Sequence, residues 1–274
     1  MTHDHDHDHD HDRQALQVLQ LTDPHLMADP DGELLGVNTR ASLDAVVAAV
    51  KQSGFSPDLI LATGDLAQDG TEAAYRAFAE RLQAFDCPAI WMAGNHDHQT
   101  NLNRAMAGTD SNRRHFVAGG WQFVALNSAV PGQVHGELAE EELAFLESAL
   151  ASEPELPALV TLHHHPVDIG CDWMESIGLR NRDAFWQVID RHPQVRIVLW
   201  GHIHQELDQT RKGVRLLATP STCIQFAENA RKFAVADMPP GYRWFSLRPD
   251  GGFDTGVVRA VQFSYQLDME STGY

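Results

Sequence analysis

Apolar residues along this chain form short continuous runs that alternate with stretches of helical spacing. The runs at residues 16–21, 59–63, 89–93, 123–126, 159–162 and 195–200 have the length and composition of buried β-strands. Between them, apolar positions three or four residues apart predict helices around residues 43–50, 74–82, 143–150 and 185–189. Thr71 is placed to cap the second helix, and Gly54 to end the first. Alternating strands and helices of this kind are typical of an α/β fold.

The pattern changes after Val214, where helical periodicity ends. Residues 242–247 and 255–258 both predict strands, and the Pro-Asp-Gly-Gly sequence at 249–252 predicts a hairpin turn near them. No internal repeat or linker divides the chain, and a length of 274 residues suits one sizeable core. We therefore expect a single domain over residues 13–274.

Within the first 12 residues, His and Asp alternate five times. We expect this tail to be disordered, because burial of apolar groups cannot offset its ordering entropy. Its imidazoles and carboxylates could hold metal ions loosely and so load an enzyme with metal. Its composition nevertheless favours a solvated tail without such a role.

The chain is strongly acidic, with a formal net charge of −18. Repulsion from phosphate backbones argues against general binding to DNA or RNA, and no basic patch offsets it. No run approaches the roughly 20 apolar residues that span a bilayer, and no apolar signal peptide is present. The cysteines at positions 87, 171 and 223 share no spacing typical of disulfides or thiolate metal sites. We expect a protein of the reducing cytoplasm that binds neither nucleic acid nor membrane.

Polar side chains gather in five short blocks, four of which follow a predicted strand. The blocks are Asp23-Pro24-His25, residues 64–70, Gly94-Asn95-His96-Asp97, His164-His165-Pro166 and Gly201-His202-Ile203-His204. Since strands of an α/β sheet present their ligands at one edge, we expect these groups to lie close together. Oxygen and imidazole donors suit Mn, Fe, Co or Zn, and the Asp65 carboxylate has two oxygens with which to bridge two ions. The blocks together predict a two-metal site.

Side-chain alternation refines this prediction only in part. If the chain stays extended after residue 21, Asp23 and His25 point the same way and can hold one ion. The same rule places His164 on the side opposite to His163 and His165, so one orientation presents a single imidazole and the other presents two. Spacing alone does not choose between these orientations.

The five blocks resemble the motifs D-x-H, G-D-x-x-x-D-G, G-N-H-[DE], H-x-P and G-H-x-H of the calcineurin-like metallophosphoesterase superfamily. The resemblance runs from about residue 19 to residue 204, and implies a four-layer αββα sandwich of two mixed β-sheets flanked by helices. It implies that one metal is held by Asp23, His25, Asp65 and His204, and the other by Asp65, Asn95, His164 and His202. His96 would face the substrate as a proton donor, with Asp69 and Asp97 as supports.

Segments around the motifs also resemble class III cyclic nucleotide phosphodiesterases, notably residues 21–26, 163–170, 179–181 and 240–244. That resemblance implies hydrolysis of 3′,5′-cyclic AMP to 5′-AMP, with hydroxide held by the two metals as the nucleophile. Since His, Asp and Asn donors without thiolate suit Mn, Fe, Co or Zn, we expect Fe or Mn, with Zn or Co as alternatives. His96, Asn95, Arg180 and Asn181 are candidate substrate contacts, although an ion pair or a cap accounts for Arg180 and Asn181 equally well.

Three other functions stay open on the sequence alone. They are a metal-dependent phosphodiesterase or phosphomonoesterase of broader specificity, an inactive metal-binding scaffold, and a metal-storage protein dominated by the His-Asp tail. The region after Val214 also has three open roles: completing the second sheet, lining the pocket, or forming a homodimer contact.

Overall fold

The computed structural model describes residues 15–273, so the predicted tail at residues 1–12 lies outside the described residues. The strands are β1 Leu16–Leu21, β2 Glu33–Leu34, β3 Val37–Asn38, β4 Leu59–Ala62, β5 Ala89–Trp91, β6 His115–Ala118, β7 Trp121–Ala125, β8 Ala158–Thr161, β9 Val195–Trp200, β10 Leu207–Arg211, β11 Val214–Ala218, β12 Gln225–Phe226, β13 Val235–Ala236, β14 Gly241–Leu247 and β15 Phe253–Arg259. The helices are α1 Thr39–Gln52, α2 Glu72–Leu82, α3 Gln99–Met106, α4 Glu140–Ser152, α5 Asp172–Glu175 and α6 Arg182–Ile189.

Two mixed sheets organise the fold. Within residues 15–273, one sheet has five strands in the order β15-β14-β1-β4-β5, and the other has six in the order β10-β11-β9-β8-β7-β6. In the first sheet β1, β4 and β5 are parallel, while the hairpin of β14 and β15 pairs antiparallel to β1. In the second, β7, β8, β9 and β11 are parallel, and antiparallel β6 and β10 form its edges.

The sheets face each other across a buried apolar layer. Leu61 and Phe245 from the first sheet pack there with Leu159 and Leu199 from the second. The outer face of the first sheet packs against α1, α2 and α3, and the outer face of the second against α4 and α6. Each layer of side chains removes apolar surface from water, which is the main favourable contribution to folding. The predicted four-layer αββα sandwich is confirmed.

Local signals in the sequence explain several element boundaries. The Thr71 hydroxyl accepts a hydrogen bond from Ala74 N at 3.2 Å and caps α2, and Gly54 follows α1 with a φ of 76°, so both predictions are confirmed. β5 ends at Trp91, two residues before the predicted end, because the chain turns there into the Gly94 block. β10 was not predicted, since as an edge strand it carries mainly exposed polar residues.

The region after Val214 completes both sheets. β11 adds to the second sheet beside β9, whereas the predicted hairpin extends the first sheet from β1. Its strand residue Arg243 is almost fully buried and donates hydrogen bonds to Ala218 O and to Thr219 Oγ1, which ties the hairpin to the other sheet. Among the described residues, no helix combines the length and apolarity needed to cross a membrane.

The carboxyl ends of β1, β4, β8 and β9 meet at one edge of the sandwich. Gln20 near the end of β1 is fully buried and links the two sheets there. Its amide nitrogen donates to Thr63 Oγ1 at 2.9 Å and to Trp200 O at 3.2 Å, and its oxygen accepts from the Thr219 hydroxyl. The polar blocks begin directly after these strand ends, so the fold brings residues from distant parts of the sequence together.

Candidate metal centre

Five of the predicted ligands adopt left-handed backbone conformations, which residues other than glycine rarely do. Their φ values are 53° at Asp23, 48° at His25, 50° at Asp65, 65° at His202 and 47° at His204. Each such residue costs of order 1–3 kcal/mol, and conformations of this kind cluster at functional sites. The D-x-H and H-x-H blocks therefore share one backbone pattern, with a left-handed residue at each ligand.

The expected extended geometry of Asp23 and His25 is wrong, although the two residues do meet. Both bend sharply, because Asp23 N donates to Gly64 O at 3.1 Å and His25 N donates to Asp65 O at 3.0 Å. These hydrogen bonds hold the D-x-H block against the loop that follows β4. The alternation rule for strands does not apply to a segment held in this way.

Each of the two buried carboxylates has one oxygen held mainly by the protein and one that faces imidazoles, although Asp23 Oδ1 also accepts from His202 N at 3.2 Å. Asp23 Oδ2 accepts from Thr22 Oγ1 at 2.6 Å and from His202 N at 3.0 Å, while Asp65 Oδ1 accepts from His96 N at 2.8 Å. The other oxygens face imidazoles: Asp23 Oδ1 lies 3.3 Å from His204 Nε2, and Asp65 Oδ2 lies 3.8 Å from His25 Nε2.

The imidazoles of His25 and His204, which lie beside Asp23, direct their lone pairs toward the same point. His204 Nδ1 lies 2.9 Å from Ile224 O, and His25 Nδ1 lies 2.7 Å from Gln68 Oε1. Because these oxygens only accept hydrogen bonds, each neutral ring carries its proton on Nδ1 and has a lone pair on Nε2. The two Nε2 atoms lie 3.1 Å apart beside the Asp23 carboxylate. A cation bound between the two Nε2 atoms and the Asp23 carboxylate would accept the lone pairs of all three groups.

Further donors lie on the other side of Asp65. The Asn95 side-chain oxygen is buried and has no hydrogen-bond partner among residues 15–273, as a metal ligand would. His202 Nε2 lies 3.0 Å from Ile177 O, which leaves Nδ1 as its lone-pair nitrogen. His164 has a partner at each nitrogen, with Ser128 Oγ at 2.8 Å from Nδ1 and Val134 O at 3.1 Å from Nε2.

Burial sets the protonation of these groups. It lowers the pKa of His25 to about 3 and the pKa values of His164 and His202 well below their usual range, so all three are neutral at pH 7. Burial acts in the opposite direction on Asp65, but the nearby imidazoles, led by His163, outweigh it and lower the pKa of this carboxyl. Neutral imidazoles and ionised carboxylates are the forms that bind metal ions.

This donor set fits two cations of the Mn, Fe, Co or Zn class. Ligand atoms of Asp23, His25 and His204 lie within 4.8 Å of one another, and so do those of His163, His164 and His202. Asp65 shares one such group with His25 and His96 and another with Asp23 and His163, so its carboxylate lies where it could contact both ions. Asp23, His25, Asp65 and His204 could thus hold one ion, and Asp65, Asn95, His164 and His202 the other.

Asp69 and Asp97 are hydrogen-bonded to the backbone of the loops that hold the ligands. Asp69 accepts from Ala28 N at 2.7 Å and from Thr71 N at 3.1 Å, which links the segment after His25 to the start of α2. Asp97 accepts from the backbone N–H groups of Leu66, Ala67 and Gly94 at 2.8–3.1 Å, and from the Tyr75 hydroxyl at 2.9 Å. Neither carboxylate belongs to the groups of converging ligand atoms.

His96 stands at the rim of the site. Its ring is half-buried and lies edge-on to the His25 ring, with centroids 5.0 Å apart. Asn181 is held elsewhere, because its amide accepts from Leu138 N at 3.0 Å and donates to Leu138 O at 2.7 Å. Arg180 is exposed and lines a cavity of about 370 Å³ together with His165.

Sequence reasoning missed several residues that shape the centre. Thr22, Gln68 and Ser128 hydrogen-bond to Asp23, His25 and His164, respectively. His163 also reaches the centre, with Nε2 at 3.3 Å from Asp65 Oδ2. Side-chain alternation leaves His163 open as an alternative to His164, whereas nothing in the sequence marks Thr22, Gln68 and Ser128.

Comparison with known proteins agrees with this geometry. A family model described as calcineurin-like phosphoesterase matches residues 16–206. A 3′,5′-cyclic adenosine monophosphate phosphodiesterase of Pseudomonas aeruginosa is 43% identical over 94% of this chain and 94% of its own length. The corresponding enzyme of Escherichia coli K12 is 44% identical over 94% of this chain and 95% of its own. A 3′,5′-cyclic-nucleotide phosphodiesterase of Nostoc is 37% identical over 94% and 96%.

Solved structures share the fold at low sequence identity. A dimetal phosphatase from Danio rerio is similar with a TM-score of 0.62 at 15% identity, and covers 88% of this chain and 98% of its own. A purple acid phosphatase from yellow lupin gives a TM-score of 0.64 at 13% identity, over 92% and 53%. These similarities concern the αββα architecture alone.

Replacement of Gly94 tests whether close packing holds Asp65 in place. A Cβ atom at Gly94 would lie 2.2 Å from Asp65 Oδ1 and 2.4 Å from Asp65 N, so Gly94→Ala must displace the Asp65 loop. We expect Mn²⁺ affinity to fall at least about tenfold by isothermal titration. Gly108→Ala serves as a control, because its Cβ meets no described atom within 4 Å although its φ of 75° is strained. If Gly94→Ala and wild type bind Mn²⁺ with equal affinity, close packing at Gly94 is not what positions Asp65 for metal binding.

Proposed function

The chain belongs to the calcineurin-like phosphoesterase family, and we propose that it hydrolyses 3′,5′-cyclic AMP to 5′-AMP at the metal centre around Asp65. One observation supports 3′,5′-cyclic AMP as the substrate. The relatives named for this activity match at 43–44% identity over 94% of the chain, which includes the loops around the centre as well as the ligand blocks. The converging carboxylate and imidazole ligands support the reaction type.

In the proposed centre, the metal ions and the side chains have different roles. Two bound cations would supply Lewis acidity to the phosphoryl oxygens and to the attacking water. Asp23 and Asp65 supply the negative charge that retains the cations, and the neutral Asn95 oxygen adds a ligand without weakening attraction for an anionic phosphate. We propose Mn or Fe as the ions; Zn and Co also suit this set of nitrogen and oxygen donors.

His96 is the proposed proton donor to the leaving oxygen. Its backbone N–H donates to Asp65 Oδ1 at 2.8 Å, which holds the backbone of residue 96 beside that carboxylate. The half-buried ring is open to a ligand from outside. A cavity of about 280 Å³ borders the adjacent Asn95 and is lined also by His98, Ala129 and Pro131. We propose that part of the nucleotide occupies this cavity and that Arg180 contacts it from the other side of the centre.

We also propose a cytoplasmic location and a single domain for residues 13–274. The thiols of Cys87, Cys171 and Cys223 are all free, which suits a reducing compartment. The net charge of −18 disfavours nucleic acid as a partner and leaves a small nucleotide, drawn in by bound cations, as the substrate.

Turnover of a substrate panel tests the proposed activity. Protein stripped with a chelator and reloaded with Mn²⁺ is given 3′,5′-cyclic AMP, bis(p-nitrophenyl) phosphate and p-nitrophenyl phosphate. We expect kcat/KM for cyclic AMP to exceed that for either aryl ester, with 5′-AMP as the product and no turnover before Mn²⁺ is restored. Preference for an aryl ester would indicate a broader phosphoesterase. Absence of any turnover after reloading would indicate an inactive scaffold.

Replacement of His96 tests the proposed proton donor. His96→Ala should lower kcat for cyclic AMP by about 10²–10⁴-fold, the usual contribution of a general acid, while the protein still binds Mn²⁺. His192→Asn is the control and should keep the parental kcat, because His192 precedes β9 at the end of that strand remote from the centre and bonds Glu147 at 2.9 Å. A His96→Ala protein with the parental kcat would remove His96 from the mechanism.

A further inference from the structure

The cavity of about 280 Å³ beside Asn95 borders the candidate metal centre directly. Part of its lining comes from the segment between Gly94 and the start of α3, and the rest comes from the loop at residues 129–132. Asn95 is both an assigned metal ligand and part of this lining. A phosphate ester bound at the metals could therefore place the group attached to its phosphate in the cavity.

His98 contributes an aromatic ring to the lining, and the protein holds this residue at several points. Its backbone N–H donates to the Tyr75 hydroxyl at 2.9 Å, and its Nδ1 accepts from Asn101 N at 3.4 Å, which makes His98 the N-cap of α3. A Cβ at Gly70 would lie 2.7 Å from His98 Cβ, so the side chain is closely packed at its base. His98 is nevertheless exposed. The cavity thus has a flat ring that the protein orients and leaves accessible.

The loop at residues 129–132 supplies the apolar part of the lining. The lining residues of this loop are Ala129, Val130, Pro131 and Gly132. Gln133 N donates to Val130 O at 3.0 Å, which closes a turn, and Ala129 forms an antiparallel bridge with Gly136 at the base of the loop. This apolar surface is therefore held in place before any ligand binds.

The lining presents little charge to a ligand. Among residues 15–273, Asp97 is the one carboxylate that lines the cavity, and no Lys or Arg does. Both Asp97 oxygens accept hydrogen bonds from backbone N–H groups, and one of them also accepts from the Tyr75 hydroxyl. Gln99 and Thr100 add uncharged polar groups. A lining with an aromatic ring, apolar surface and few uncharged polar groups suits a flat heteroaromatic group better than a second phosphate.

We propose that this cavity is the nucleobase subsite, in which the base stacks on the His98 ring and contacts the loop at residues 129–132. Stacking on an aromatic side chain is available to every base, because every base has a π face. His98 thus contributes to substrate affinity and takes no part in bond cleavage. This inference rests on the proposed function, because it takes the ligand to be a nucleotide whose phosphate lies at the metal centre.

A comparison of two ligands on the Zn²⁺-loaded full-length protein tests the subsite. 5′-AMP and ribose 5-phosphate share a sugar and a phosphate and differ by the base. We expect 5′-AMP to bind at least about fivefold more tightly by isothermal titration, the lower end of the usual contribution of one stacked base. Equal affinities of the wild-type protein for the two ligands would overturn the proposal.

Proton NMR of the same wild-type protein reports the stacking itself. The His98 ring resonances are assigned by their loss in His98→Asn. We expect 5′-AMP to shift them upfield, because protons above the face of a base lie in its shielding region, and we expect ribose 5-phosphate to leave them in place. His98 ring resonances that 5′-AMP does not shift would overturn the proposal.

Two substitutions separate stacking from the capping of α3. His98→Asn removes the ring and keeps a good N-cap residue, whereas His98→Phe keeps an aromatic ring and removes the cap. We expect His98→Asn to bind 5′-AMP at least about fivefold more weakly with unchanged affinity for ribose 5-phosphate, and His98→Phe to keep the wild-type affinity for both. A loss of 5′-AMP affinity in His98→Phe alone would show that the cap matters rather than the ring, and would overturn the proposal.

Turnover of cyclic AMP gives a further readout. His98→Asn should raise KM and leave kcat nearly unchanged, because stacking is lost equally from the bound substrate and from the transition state. A fall in kcat at unchanged KM would contradict a role in affinity alone. His192→Asn exchanges the same two residue types before β9, where His192 bonds Glu147 at 2.9 Å, and should bind 5′-AMP as wild type does.

The binding measurements keep the subsite distinct from the proposed activity, since they involve no turnover. A protein that binds 5′-AMP as expected but does not hydrolyse cyclic AMP would refute the activity and leave the subsite in place. Hydrolysis of cyclic AMP by a protein that binds ribose 5-phosphate as tightly as 5′-AMP would refute the subsite alone. Near-ultraviolet circular dichroism of each variant reports whether its packing is intact.

Discussion

The burial of two carboxylates at one edge of the sandwich is the constraint on which the rest of the site depends. Asp23 and Asp65 are almost fully removed from water, and their ion-pair neighbours are imidazoles rather than Lys or Arg. A buried charge is costly unless it is paired or binds a metal. Burial lowers the pKa of His25 and of His202 and so favours their neutral forms, while His204 directs Nε2 toward Asp23, so bound cations would supply the missing counter-charge.

The two-sheet architecture makes this arrangement attainable. Parallel strands β1 and β4 of one sheet and β8 and β9 of the other end at the same edge, so their following residues meet although they are far apart in sequence. Left-handed backbone at the ligands then turns the chain sharply after β1, β4 and β9. Glycines at positions 94 and 201 leave no space for a side chain beside Asp65 and Asp23. The favourable packing of three apolar layers offsets this local strain.

The sequence was informative about the elements and the candidate ligands, and less so about how the ligands are presented. Apolar runs located β1, β4, β8 and β9 to within a residue or two, because buried parallel strands are continuously hydrophobic. The polar edge strand β10 and the left-handed turns at Asp23 and His202 have no such signature. The His163 ring is held by the carbonyl of Thr63, 100 residues away in the chain, and only the folded structure brings the two together.

The central claim is that two cations bind on either side of Asp65. Crystals of Mn²⁺-loaded protein, measured at the Mn absorption edge, would locate the ions by anomalous scattering. We expect two peaks about 3.5–4 Å apart that share the Asp65 carboxylate, the spacing typical of two-metal sites. A single peak, or peaks that do not contact Asp65, would contradict it.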